Sequence, residues 1–347
     1  MKFTKLIFLF FILSTKNFAQ KNQITVIDSN QKTSLRGLSV VDNNVIWASG
    51  SNGTVARSIN GGKSFQWLTV KGFEKRDFRD IEAFDDMTAL VMAVGEPGII
   101  LKTKDGGQNW YKVFESDAAG IFLDAMDFAD KKAGMVIGDP LVDPIAHKVF
   151  IGATWDGGDT WLIPKYPATL TIPDAQVGEA FFASSGTNIK IQKKGGSVNG
   201  AFVSGGRKSR LFMNEEIDSL PIIQGGESTG ANSIDLDYSN KKGVIVGGDF
   251  AKDTDATANC VLLTWKDTIS FSVPETPPHG YRSCVIYISD SKLLTCGTSG
   301  VDISNDGGNN WQLISGESFN VCKKAKSGNA VFLAGANGRI ARFNYLK

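Results

Sequence analysis

The sequence predicts an all-β chain folded as a seven-bladed β-propeller of four-stranded antiparallel blades. Three observations predict it. Glycine is abundant, at 38 of 347 residues beside 22 Phe, well above the usual ~7%, which suits many short strands joined by tight turns. A ten-residue box recurs: SINGGKSFQW (58–67), TKDGGQNWYK (103–112), TWDGGDTWLI (154–163) and SNDGGNNWQL (304–313). Seven segments, finally, each carry two β-type runs separated by a turn: 36–50, 79–95, 123–138, 179–206, 232–248, 282–297 and 320–335.

The boxes set the period. Their third residues, Asn60, Asp105, Asp156 and Asp306, are separated by 45, 51 and 150 positions. The last gap is three steps of about 50, a propeller-blade period rather than a helical-repeat one. Two boxes have therefore decayed, with remnants expected at 213–219 and 265–271.

The chain opens with Lys2 and Lys5, an apolar run LIFLFFIL (6–13), and a polar stretch ending in Asn17-Phe18-Ala19. This is the layout of a secretory signal peptide cleaved after Ala19, because eight apolar residues are too few to span a bilayer. Domain 1–19 is thus read as the leader and 20–347 as one propeller, exported to the periplasm or secreted, with no membrane-spanning segment once the leader is gone.

In the first blade the four strands, A to D from the centre outward, are expected at 36–41, 45–50, 54–58 and 65–70. The box is the C–D turn: its Asp accepts backbone N–H bonds, its glycines supply positive φ, and its Trp packs between sheets. The seventh blade has candidates for A (320–324), B (330–335) and C (339–343) but none for D. QITVID (23–28) should supply that strand and close the ring, leaving no open edge.

Composition excludes several functions. Lys+Arg is 37 against 36 acids, so the basic excess of a nucleic-acid binder is missing. His147 and His279 are the only histidines, which argues against a His-rich metal centre. Cys260, Cys284, Cys296 and Cys322 lack C-x-x-C spacing and read as buried thiols, with no metal or cofactor expected. Cys284 and Cys296 should face each other across the A–B hairpin of the sixth blade.

Strand A begins on the face opposite the boxes, so the candidate binding residues ring one channel mouth. Arg36, Arg79 and Arg282 start strand A in blades 1, 2 and 6, and Asp80, Asp124 and Glu179 follow in blades 2, 3 and 4. Glu96, Asp139 and Asp249 end strand B on the same face. Arginine there is suited to grip carboxylates in its planar fork.

The S/T-x-D-x-G-x-x-W boxes resemble the Asp-boxes of the bacterial neuraminidase repeat superfamily. The phrases SLRGLSVVDNNVIWASGSNGTVARS, GEAFFASSG, VIVGGDF and GYRSCVIY resemble more closely the propellers similar to the photosystem II stability/assembly factor, over essentially residues 22–347. The resemblance implies a non-enzymatic binding or assembly factor carrying an arginine patch, of which Arg36, Arg79 and Arg282 are the matching positions. Its partner would be a protein or peptide, or a glycan. The competing class is a glycoside hydrolase of sialidase or xyloglucanase type. It would need a carboxylate pair across a cleft, for which Asp139 and Asp249 are the only candidates; no catalytic residue is otherwise assigned.

Overall fold

The computed structural model describes residues 23–142, 147–164, 173–194, 197–213, 216–266 and 268–345; the expected leader lies outside them. The described residues form the seven blades. Blade 1 is Leu35–Val40, Ile46–Gly50, Thr54–Ser58 and Gln66–Thr69, paired in that order. Blade 2 is Phe78–Ala83, Ala89–Ala93, Gly98–Thr103 and Tyr111–Ser116. Blade 3 has Leu123–Phe128, Gly134–Val142 and His147–Thr154, and among the described residues its fourth position is a bridge between Ala153 and Leu162. Blade 6 is Cys284–Tyr287, Leu293–Gly297, Gly300–Ser304 and Trp311–Ser315.

The ring closes as the sequence predicts. Ile24–Asp28 is the outermost strand of a sheet whose other members are Ile340–Phe343, Val331–Ala334 and Val321–Lys324. Ile24 pairs with Phe343 and Thr25 with Arg342, antiparallel. The decayed boxes are where the period puts them. At the first, Arg210–Met213 pairs antiparallel with Glu216–Ser219, and at the second Cys260–Trp265 pairs with Ile269–Ser272.

The core lies in the seams between blades. Trp47 and Val55 of blade 1 pack against Phe78, Ile81 and Val91 of blade 2, and Leu90 and Met92 against Leu123 and Met126 of blade 3. Trp47 is fully buried, and its Nε1 donates to the Asp85 carbonyl of the next blade at 3.0 Å. Each box is a closed local network. Thr103 Oγ1 donates to Asp105 Oδ1 at 2.9 Å, the same oxygen accepts the Asn109 N–H at 2.9 Å, and Gly107 N–H donates to Thr103 Oγ1 at 3.0 Å. Asn60, Asp156 and Asp306 repeat the pattern. All of the box residue's acceptors are used in holding its own turn.

Strand A of each blade presents an unpaired edge to the central channel. The preceding blade satisfies it with side chains: Ser39 Oγ accepts Ala83 N–H, Asp80 Oδ2 accepts Met126 N–H, Asp127 Oδ2 accepts Ile191 N–H, and Ser233 Oγ accepts Val285 N–H, at 3.1, 2.8, 2.7 and 3.0 Å. Buried backbone donors need such partners.

Blade 4 departs from the sequence reading. Its strand A is Ile189–Lys194, not the expected run from Glu179, and it pairs with Ser197–Val203. Glu179–Ala180 instead pairs with Gly205–Gly206 as an extension of the blade 5 sheet. Blade 5 itself consists of Thr229–Asp237, Lys242–Asp249 and the two strands flanking its box remnant. The residues between, Phe181 to Asn188, cross the channel.

Candidate functional site at the plugged channel mouth

The crossing segment is a plug. Ser184 Oγ donates to Asn232 Oδ1 at 2.9 Å, Ser185 Oγ to the Ser283 carbonyl at 2.6 Å, and Arg36 Nη1 to the Ser184 carbonyl at 3.2 Å. It thereby ties together blades 1, 5 and 6. Gly186 has φ +64, and a Cβ there would stand 2.3 Å from the Asp80 carboxyl carbon, so this turn admits glycine alone among ordinary residues.

Above the plug lies a cleft of about 470 Å³ lined by Arg36, Arg79, Phe122, Asp139, Phe182 and Tyr281, among others. Arg36 and Arg79 reach it because each occupies a β-bulge. The strand register shifts between Leu35 and Gly37, and again between Phe78 and Asp80, and a bulge re-aims the extra residue's side chain. Arg79 pairs with Asp77 at 2.8 Å and lies over the Phe122 ring. Arg36 has no carboxylate within salt-bridge distance among the described residues. Burial, and then the neighbouring charge of Arg79, lower its pKa: its cation is left short of negative charge. Asp139 accepts the Phe181 N–H at 2.8 Å, and burial pushes its carboxyl up to about 6. Tyr281 donates to Asn232 Oδ1 at 2.9 Å, and burial holds its phenol at about 12. Phe250, half exposed, meets Phe182 and Tyr281 edge to face.

The other predicted site residues go elsewhere. Arg282 precedes strand A of blade 6, whose pairing begins at Cys284 without a register shift, and it faces the blade interior. It is fully buried and bonds Asp302 through Nε at 2.7 Å and through Nη2, while His279 Nδ1 holds the other Asp302 oxygen at 2.6 Å. Glu179 is locked in a bidentate pair with Arg210, at 2.9 and 2.6 Å. Asp80 lies beneath the plug as the inter-blade acceptor described above. Asp124 is fully buried, and among the described residues neither of its oxygens has a hydrogen bond of normal geometry. Burial first, then Asp139, drive its pKa well above the usual carboxylate range, with Arg79 opposing. Glu96 is exposed and borders a separate pocket with Pro97, Glu115 and Asp117. Asp249 turns into its own loop, accepting from Ser228 Oγ at 2.7 Å and Ala251 N–H at 3.0 Å. Asp139 lines the cleft and Asp249 is not among the residues that line it.

Sequence reasoning missed the aromatic lining. EAFFAS reads as a strand, yet its adjacent Phe181 and Phe182 break apolar alternation and run into Ser-Ser-Gly, a turn signal.

Residues 16–119 match the family model described as the photosynthesis system II assembly factor YCF48. The matched stretch takes in blades 1 and 2 of the seven-bladed Asp-box propeller, under a third of the chain. Two solved structures are similar to it from end to end. One, described as YCF48 bound to D1 peptide, is 14% identical with a TM-score of 0.64 over 94% of this chain and 96% of that one. The other, YCF48 from Cyanidioschyzon merolae, is 17% identical with a TM-score of 0.61 over 92% and 98%. At such identities the likeness is one of fold. None of the curated proteins matches the chain.

Proposed function

We propose that this propeller is a non-enzymatic binding protein, acting after export, which takes an acidic or carboxylate-bearing stretch of a protein partner into the cleft over the plug. The observation that carries the reading is Arg36: a guanidinium lining an open cleft, beside Arg79 and, among the described residues, without a carboxylate of its own. Two arginine forks can bind carboxylate oxygens in pairs, and Phe122, Phe182 and Phe250 offer apolar surface for the residues between. A peptide partner is consistent with the similar structure described as bound to D1 peptide. Of the two carboxylates a hydrolase reading would use, Asp139 alone is among the residues lining this cleft.

The test is fluorescence anisotropy with labelled acidic peptides and their amidated, neutralised counterparts, on the leaderless chain and an Arg36→Ala/Arg79→Ala variant. Acidic peptides should bind with an affinity that falls as salt rises. The double variant should lose tenfold or more while its melting temperature stays close to that of the parent. Equal binding by both proteins would end this reading.

A further inference from the structure

Where blades 6 and 7 pack together, three thiols converge. Cys284 is on strand A of blade 6, Cys296 lies directly opposite on strand B, and Cys322 is on strand A of blade 7. All are fully buried in the apolar cluster spanning blades 6, 7 and 1. The three Sγ atoms lie within 4.8 Å of one another, Cys284 and Cys322 at 3.6 Å. Sequence spacing expected the first pair; Cys322 joins because its strand packs against blade 6.

From this geometry we infer a site for a soft, low-coordinate metal ion of the Cu(I) class, bound by the sulfurs of Cys284, Cys296 and Cys322. Three sulfurs each about 2.3 Å from one ion stand roughly 4 Å apart in a plane, close to the spacing present. No fourth Cys, His or carboxylate joins the group among the described residues, so the tetrahedral set of a structural zinc is missing, while soft thiolates with few ligands suit Cu(I). The Cys322 backbone N–H donates to Cys284 Sγ at 3.4 Å, which ties that sulfur to the neighbouring blade's strand. Each thiol that ligates releases its proton to solvent, so affinity falls in acid. A disulfide fits less well, because bonded sulfurs sit at about 2.05 Å and the third thiol would be left over. Bound metal would staple blade 6 to the closing blade.

The test is anaerobic titration of the reduced chain with Cu(I) presented as its bathocuproine disulfonate complex. One ion per chain should transfer, with ultraviolet thiolate-to-metal absorption, a melting temperature raised by several degrees, and an X-ray absorption edge fitted by sulfur ligands alone. Cys284→Ser and Cys322→Ser should weaken retention at least a hundredfold, and Cys260→Ser, outside the cluster, should not. Circular dichroism checks that the variants fold; if the cluster variants do not, the sulfur-only absorption spectrum of the parent decides. No transfer, retention unchanged in folded cluster variants, or nitrogen and oxygen ligands in the spectrum would overturn the site. So would a chain whose thiols, after reduction, re-form a disulfide rather than take the metal.

Discussion

The two ends of the channel are lined by the same seven innermost strands, yet they balance charge in opposite ways. At the end nearest the Asp-box turns, Lys190 pairs with Asp235 at 3.0 Å, Lys326 with Glu82, and Lys193 with Asp130 at 2.9 Å. Burial opposes the charge on Lys323, yet Glu82, Asp80 and Asp127 outweigh it and raise its pKa. At the plugged end, Arg36 borrows a backbone carbonyl and its nearest strong influence is another cation. Matched charge belongs to the architecture, and unmatched charge beside open apolar surface marks where a partner can contribute.

The sharpest way to break this contrast is to disturb the plug. Gly186→Ala places a Cβ against Asp80 and forces a left-handed backbone on alanine. It should cost about 2–4 kcal/mol, read by urea denaturation; an unchanged midpoint would mean that the segment does not sit as tightly as described. Next, Lys323→Met leaves Glu82, Asp80 and Asp127 without a shared counter-charge and should cost roughly 1–3 kcal/mol near neutral pH, whereas Arg36→Ala should cost under about 1. Equal losses would erase the distinction between the two ends.

A smaller effect follows from Asp139. Burial raises its folded pKa to about 6, above its unfolded value. The associated stability is full below the unfolded pKa and lost as pH climbs through about 6. Below that point the carboxyl is neutral and no longer repels an acidic peptide, so binding should tighten on acidification by a few fold. Asp139→Asn should show the tighter binding at every pH and a flatter stability profile; a parent-like pH profile in that variant would assign the titration elsewhere. Smallest of all, Arg79→Lys keeps the charge but loses the fork shared with Asp77, and peptide titration should show a two- to fivefold weakening.

How much was legible depended on what the residues answer to. The blade boundaries, the decayed boxes and the closing strand are written in local turn chemistry and strand alternation, which act within a few residues. The facing of a side chain at the channel is set by a one-residue register shift. Arg36 and Arg79 sit at such shifts, whereas the pairing of blade 6 begins at Cys284 without one, and Arg282 turns into the blade to meet Asp302. Glu179 misled for a related reason: seven similar segments invite seven similar strands, while Gly186 and the paired phenylalanines send this one across the channel. The thiol cluster needs Cys322 from a neighbouring blade, a contact that spacing along the chain does not encode.

The closing blade gives the molecule a clock. Ile24–Asp28 is synthesised first, and its partner Ile340–Phe343 some 310 residues later, roughly 15–60 s at ordinary translation rates. Until then the early strand waits unpaired while six sheets assemble behind it. A ribosome that stops anywhere short of residue 340 therefore releases an open ring with a sticky edge, not a slightly smaller propeller.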